Sequence, residues 1–134
     1  VYTGVVASEA AEAHANLIED LPGAGLLAVT SPDRLHSDWL AARRARVSGE
    51  TWASAHVERL LAASPNAALI TVVDAHPAAL SWIGSVAGHR IYPLGVETFG
   101  QSANIPDLYR AYGIDTEAIL DAAARACVRR RRES

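Results

Sequence analysis

The stretch "ALITVV" (68–73) is the clearest buried strand in the sequence. A short, continuous apolar run of this kind is typical of a strand that is covered on both faces. A similar run, "GLLAVT" (25–30), precedes it, and "RIYPL" (90–94) follows it with a proline that favours an edge or a strand end. Helical patterns separate the three runs. The sequence therefore predicts an α/β fold, with a mostly parallel sheet and helices on both of its faces.

Helical patterns fill most of the remaining chain. Amphipathic spacing, caps and breakers predict helices over 8–21, from Pro32 through Leu40, over 56–63, from 77 to about 86, over 105–112, and from 116 to about 130. The last two have the clearest limits, because Gly113 can end one and Asp115 can cap the other. Ile114 and Ile119 stand at the positions of a hydrophobic staple. Residues 43–54 show no regular pattern.

Length and composition indicate one globular domain over residues 1–134. Half of the residues are hydrophobic, and a fifth are charged, with a net charge of −3. This charge gives no general attraction to nucleic acid or membranes, and no apolar run approaches the roughly 20 residues of a membrane span. Cys127 is the single cysteine, which favours a reducing, cytoplasmic location. The chain begins without Met, inside what reads as a strand, so we expect a fragment of a longer protein.

Catalytic and metal-binding patterns are weak. Asp74 and His76 could form a hydrolytic relay with Ser31 or Ser102, but no G-x-S-x-G motif is present, and the acid and the histidine are separated by only one residue. The five histidines lack the paired spacing of metal ligands, and the glycines form no nucleotide-binding motif. The arginines over 129–132 suit the end of a solvated helix. We therefore predict no catalytic, cofactor-binding or metal-binding residue in this chain.

Three segments are predicted to meet at one edge of the sheet. Right-handed crossovers bring the carboxyl ends of parallel strands together, and ligands or partners usually bind there. This edge would hold residues 30–31, 74–76 and 95–102. Phe99, the only phenylalanine, would be partly exposed in a glycine-framed loop, which suits docking better than catalysis; the alternative is that it folds back onto its own core. The predicted domain-facing residues are Asp74, His76, Gly95, Glu97, Phe99, Gly100, Gln101 and Ser102.

Three phrases of the sequence resemble one family. "VTSPDRL" (29–35), "VVDAH" (72–76) and above all "LGVETFGQSANIPDLYRAYGIDTEAI" (94–119) are similar to the C-terminal domain of the transketolase-like thiamine-diphosphate enzymes. The nearest likeness is to the homodimeric decarboxylating component of the pyruvate dehydrogenase complex, and transketolase carries a looser form. The resemblance covers nearly the whole chain and is weakest over 41–66.

The resemblance implies a three-layer α/β/α domain whose five-stranded mixed sheet has one antiparallel edge strand. That strand would be the first one, truncated here at Val1–Thr3. In these enzymes thiamine diphosphate and Mg²⁺ are held by the preceding pyrimidine-binding and diphosphate-binding domains, and the C-terminal domain packs against them in a homodimer. It supplies no catalytic residue, so the isolated domain would be inactive.

The parent reaction would be decarboxylation of a 2-oxo acid such as pyruvate, followed by acyl transfer to a lipoyl-bearing partner. Three alternatives remain open from the sequence. The chain could be the same domain of a transketolase acting on sugar phosphates, a small self-sufficient enzyme, or a stand-alone protein-binding module.

Overall fold

The computed structural model describes residues 1–96, 108–110 and 113–134. Its elements are β1 (Tyr2–Thr3), a 3₁₀ turn (Gly4–Val6), α1 (Ala7–Asp20), α2 (Pro32–Val47), α3 (His56–Leu61), β2 (Leu69–Val73), α4 (Ala78–Ser81), α5 (Gly84–Ala87), β3 (Ile91–Leu94) and α6 (Thr116–Glu133). Residues 108–110 are also helical. The alternation of helices and parallel strands confirms the predicted α/β class.

The described strands form a three-stranded parallel sheet in the order β1-β2-β3. Tyr2 pairs with Val72, and Leu69 pairs with Ile91. Because both pairings are parallel, the carboxyl ends of all three strands lie at the same edge of the sheet. The turns that follow the strands therefore meet at this edge, as the sequence predicts.

The first strand differs from the antiparallel edge strand expected at Val1–Thr3. The Tyr2 N–H donates to Leu27 O at 3.0 Å, the Val29 N–H donates to Tyr2 O at 2.8 Å, and a parallel bridge joins Tyr2 to Ala28. Tyr2 therefore has strand partners on both sides, and both are parallel. The expectation for Val1–Thr3 was wrong, because the chain leaves β1 into α1 and returns beside it at Ala28, a βα crossover that gives parallel pairing.

The strand predicted over 25–30 is reduced to the single bridge at Ala28. Its neighbour in the sheet, β1, is only two residues long, so the ladder has no room to extend. Val29 is buried, but Leu26 is 42% exposed, so this segment is not covered on both faces. A continuous apolar run was therefore an incomplete guide to burial here.

Most helices lie where the pattern predicts them, with different limits. The Asp115 carboxylate accepts the Ala118 N–H at 3.0 Å and caps α6, as expected. In contrast, α2 continues to Val47 and takes in part of the stretch that looked irregular. The helix expected between 77 and 86 is split into α4 and α5. Of the helix predicted over 105–112, only 108–110 are described, and Gly113 follows with a φ of +70°.

The described residues form two apolar core clusters, one on each face of the sheet. The first lies under α2 to α5 and contains Trp39, Leu80 and Ile83, while the second lies under α1 and α6 and contains Ile114 and Ile119. The two isoleucines of the expected staple thus pack in one cluster. Successive residues of β2 alternate between the clusters, which is the geometry of a strand buried on both faces.

Thr71 is the polar exception inside β2. It is 1% exposed, and its hydroxyl has no hydrogen-bond partner within the described part of the chain. Since a buried hydroxyl without a partner is costly, we expect Thr71→Val to raise the free energy of unfolding by about 1 kcal/mol. Urea unfolding of the two proteins measures this change.

Thr71→Ala provides the matched control. It removes the same hydroxyl but also a methyl group, so we expect it to be less stable than Thr71→Val by about 1 kcal/mol. If Thr71→Val were instead less stable than the wild-type chain, the Thr71 hydroxyl would have to donate a hydrogen bond in the folded protein.

Candidate functional site

The predicted site residues that the structure describes lie at the carboxyl ends of the strands. Asp74 and His76 follow β2 directly, and Gly95 follows β3. The side chains of Asp74 and His76 are exposed, and Gly95 is half-buried. The other predicted residues lie outside the described residues: Glu97, Phe99, Gly100, Gln101 and Ser102.

Gly95 is where the turns after β2 and β3 touch. The Val96 N–H donates to Ala75 O at 2.8 Å, which ties the two turns together. A Cβ atom on Gly95 would lie 2.6 Å from Ala75 O and 2.7 Å from Pro77 N. Only glycine allows this approach of one backbone to another. Gly95 is therefore required by the close approach of the two turns and not by a positive φ.

Gly4, which follows β1, completes the edge. Its φ is +82°, a conformation that favours glycine, and a Cβ atom on it would lie 2.1 Å from Asp74 Oδ1. The Asp74 carboxylate therefore rests against the Gly4 backbone. Sequence reasoning missed Gly4, because an antiparallel first strand would have placed this residue at the opposite edge of the sheet.

His76 has a structural role at the start of α4. Its Nδ1 accepts the Ala78 N–H at 3.1 Å, and its carbonyl accepts the Ala79 N–H at 2.9 Å. With Nδ1 used as an acceptor, the proton of the neutral ring is on Nε2. No hydrogen bond within the described residues joins His76 to Asp74. The relay considered from the sequence is therefore not assembled among these residues, since a base must be oriented by its acid.

The edge has an acidic character that extends to α1. Glu9 lies in the first turn of α1, and its Oε2 atom is buried without a hydrogen-bond partner among the described residues. Partial burial, and then the negative charges of Glu9 and Asp74, raise the pKa of Tyr109. The Tyr109 hydroxyl therefore keeps its proton at neutral pH and can donate a hydrogen bond. Neither Glu9 nor Tyr109 was predicted as a site residue, because the packing of α1 places Glu9 here, the packing of residues 108–110 places Tyr109 here, and no local pattern indicates either.

We call this surface the carboxyl edge and define it by Gly4, Val5, Asp74, His76 and Gly95. Val5 gives it an apolar element, since its side chain is 67% exposed. The turn after β2 is fixed by a backbone hydrogen bond to the turn after β3, and by hydrogen bonds from α4 to the carbonyl and the ring of His76. The carboxyl edge thus combines an exposed apolar group, exposed polar groups and a backbone that is already held in place.

One histidine, the cysteine and the run of arginines noted in the sequence lie in helices, outside the carboxyl edge. His14 Nε2 is 2.9 Å from Ala24 O, so this histidine of α1 forms a hydrogen bond with the segment that follows the helix. Cys127 is half-buried in α6, and the arginines over 129–132 are exposed near its end. Within residues 1–96, 108–110 and 113–134, no group of three His, Cys, Asp or Glu side chains converges as a metal site.

Compared with known proteins, the chain matches no family model and no curated protein. The geometry of the carboxyl edge and the motifs of the sequence therefore provide the basis for a functional proposal. In the described part of the chain, no helix is long and apolar enough to cross a bilayer.

The contact between Gly4 and Asp74 gives a direct test of the carboxyl edge. We expect Gly4→Ala to lower the free energy of unfolding by about 2 kcal/mol, because it adds backbone strain at positive φ and displaces the carboxylate. Asp74→Ala should recover part of this loss when it is combined with Gly4→Ala. A double-mutant cycle from urea unfolding would then show a coupling of about 1 kcal/mol. Strictly additive effects would contradict the contact.

Proposed function

We propose that this chain is the non-catalytic C-terminal scaffold and dimerisation domain of a thiamine-diphosphate-dependent 2-oxo acid dehydrogenase component that acts on pyruvate. The observation that carries the proposal is the carboxyl edge, an exposed surface with a fixed backbone. The motifs over 29–35, 72–76 and 94–119 support this parent family. In the proposal, the edge packs against the pyrimidine-binding domain and strengthens the subunit contact.

The chemistry of the edge favours docking over catalysis. Nδ1 of His76 is used to start α4, and the Asp74 carboxylate rests against Gly4. Neither group is oriented toward a nucleophile among the described residues. A surface held by its own backbone loses little conformational freedom when a partner binds, and the exposed Val5 offers apolar area to bury. These features are those of a preformed contact surface.

The parent family's domain has a five-stranded mixed sheet, and we extend the proposal to this architecture. β1, β2, β3 and the segment at Ala28 would be the parallel part of a five-stranded sheet. The antiparallel edge strand would then be a segment other than Val1–Thr3. This addition would extend the observed sheet without changing the positions of its carboxyl ends.

Thiamine diphosphate and Mg²⁺ belong to the preceding domains in this proposal. Among the described residues, no group of three His, Cys, Asp or Glu side chains converges on one point, and this observation supports placing Mg²⁺ in the other domains. This chain would contribute to activity only by positioning the domains that bind the cofactor. The lipoyl-bearing partner would meet the assembled dimer and not this domain alone.

The test uses the full-length parent protein and two matched substitutions. Val5→Arg places a large cation in the carboxyl edge, while Val47→Arg makes the same change at a residue that is 90% exposed at the end of α2. We expect Val5→Arg to lower pyruvate decarboxylation and to weaken the dimer about tenfold or more, because a buried unpaired charge opposes docking. Val47→Arg should change neither property.

Three results would overturn the proposal. Equal dimer stability and activity of the two variants would show that the edge is not a docking surface. Turnover of pyruvate by this chain alone would show that the domain is catalytic. A full-length protein that uses sugar phosphates but not 2-oxo acids would identify the transketolase alternative as the parent.

A further inference from the structure

A second surface feature lies away from the carboxyl edge. The last turns of α2, together with α3 and α5, surround an open groove of about 560 Å³. Since α3 and α5 precede β2 and β3 in the chain, the groove lies near the amino ends of the strands. Its lining combines aromatic, cationic, hydroxyl and apolar side chains: Trp39, Arg43, Arg46, Glu58, Ser85 and Val86.

One cation of the groove is positioned by aromatic stacking. The guanidinium carbon of Arg43 lies 4.9 Å from the centre of the Trp39 ring. Trp39 is buried and in turn stacks on Trp82, with 5.4 Å between ring centres. Stacking of this kind fixes the plane of a guanidinium but leaves the N–H groups at its rim free to donate. Arg43 is therefore positioned by Trp39 and donates no hydrogen bond to the residues that the structure describes.

The second cation, Arg46, is one helical turn further along α2, where side chains three residues apart are neighbours. Arg46 forms an ion pair with Glu58, whose second oxygen accepts the Ala55 N–H at 3.0 Å at the start of α3. The hydrogen bond from Arg46, followed by that from Ala55, lowers the pKa of Glu58 against the opposing effect of its burial. Glu58 thus remains ionised, and both of its oxygens are engaged.

The charges in the groove do not cancel. Glu58 balances Arg46, and no carboxylate in the described part of the chain forms an ion pair with Arg43. The groove therefore has one excess positive charge in a chain whose net charge is −3. A concave surface focuses the field of such a charge and raises the local concentration of anions.

We propose that this groove binds the phosphate group of a small molecule. Arg43 and Arg46 offer N–H donors from α2, and the Ser85 hydroxyl offers a further donor from α5. Donors from two helices suit a tetrahedral oxyanion with several acceptor oxygens. Val86 and the edge of Trp39 provide apolar surface for the organic part of the ligand. The site is independent of the proposed docking at the carboxyl edge.

Phenyl phosphate is a suitable probe, because it joins a phosphate group to a flat apolar ring. Binding to this chain can be followed by ¹⁵N NMR through the indole N–H of Trp39 and the amide of Ser85. The indole of Trp52 is an internal control, since its side chain is 78% exposed and does not line the groove. We expect saturable shifts at Trp39 and Ser85, with a dissociation constant on the order of 1 mM, and no saturable shift at Trp52.

Matched substitutions on α2 separate a specific site from diffuse attraction. Arg43→Gln should weaken phenyl phosphate about tenfold, while Arg44→Gln, at the exposed neighbouring position that does not line the groove, should change the affinity less than about twofold. Arg43→Lys keeps the charge and should retain intermediate affinity. Thermal unfolding of each variant shows whether the fold is preserved.

Two further probes define the ligand class. Inorganic phosphate should shift the same signals with weaker affinity, because it lacks the apolar ring. Benzoate should bind at least about fivefold more weakly than phenyl phosphate, because a carboxylate has fewer acceptor oxygens and less charge. Equal affinity for benzoate, equal losses in the Arg43 and Arg44 variants, or no saturation by about 20 mM probe would overturn the proposal.

Discussion

Replacing Leu80 with alanine is expected to lower the free energy of unfolding by about 4 kcal/mol. Leu80 is fully buried, and it belongs to the same apolar cluster as Trp39, Val73 and Ile83. Truncation removes apolar contacts and leaves a cavity, and residues of the sheet and of α2 to α5 border this cluster. Equilibrium unfolding in urea, followed by circular dichroism, measures the loss.

Leu60 provides a matched comparison for Leu80. It lies in α3, but its side chain is 37% exposed, so Leu60→Ala should lower the free energy of unfolding by less than about 1 kcal/mol. Similar losses for the two substitutions would show that the cluster under α2 to α5 is not packed as described. If the slope of the free energy of unfolding against urea concentration is unchanged, the substitution has not altered the unfolding transition itself.

Gly95→Ala is expected to lower the free energy of unfolding by about 3 kcal/mol. The added Cβ atom would lie within 3 Å of Ala75 O and of two backbone atoms of Pro77. Backbone atoms cannot move aside as a flexible side chain can, so the turns after β2 and β3 would have to separate. This separation would break the hydrogen bond between the Val96 N–H and Ala75 O.

Gly23→Ala is the control for this prediction. Apart from its chain neighbours, no atom of the described residues lies within 4 Å of a Cβ atom placed on Gly23, and its φ is not positive, so alanine should be tolerated there within about 0.5 kcal/mol. If Gly95→Ala were equally mild, the two turns would not touch, and the carboxyl edge would lack its fixed backbone. Under the proposed function, Gly95→Ala in the full-length parent should also weaken the dimer.

Local sequence patterns predicted the elements whose signals are local. β2 was expected over 68–73 and occupies Leu69–Val73, because an apolar run and a turn define it without reference to the rest of the chain. The cap at Asp115 and the start of α6 follow from neighbouring residues in the same way. The first strand was assigned incorrectly, because its direction depends on partners at Ala28 and Val72 that a local pattern does not identify.

The candidate site residues differ in the same way: those marked by a local pattern were predicted, and those placed by distant contacts were not. Asp74, His76 and Gly95 could be placed at the carboxyl edge, because each directly follows an apolar run that was recognised as a strand. Gly4 was missed because β1 was expected to be antiparallel, which would place Gly4 at the opposite edge of the sheet. Glu9 was missed because it reaches the edge only through the packing of α1. The groove beside Arg43 joins residues from three helices, so no spacing in the sequence indicates it.

The parallel pairing of β1 with β2 has a consequence for the order of folding. Val1 and Ile70, which are joined by a hydrogen bond, are 69 positions apart, so this pairing closes a loop that contains all of α1, α2 and α3. β2 and β3 require only the short segment through α4 and α5 to close between them. Loop closure is less unfavourable for the shorter segment, and contacts between distant residues slow folding. The unit from β2 to β3 should therefore assemble early, and hydrogen exchange during refolding should show protection of the Leu69 amide, which donates to Arg90 O, before that of the Val72 amide, which donates to Val1 O.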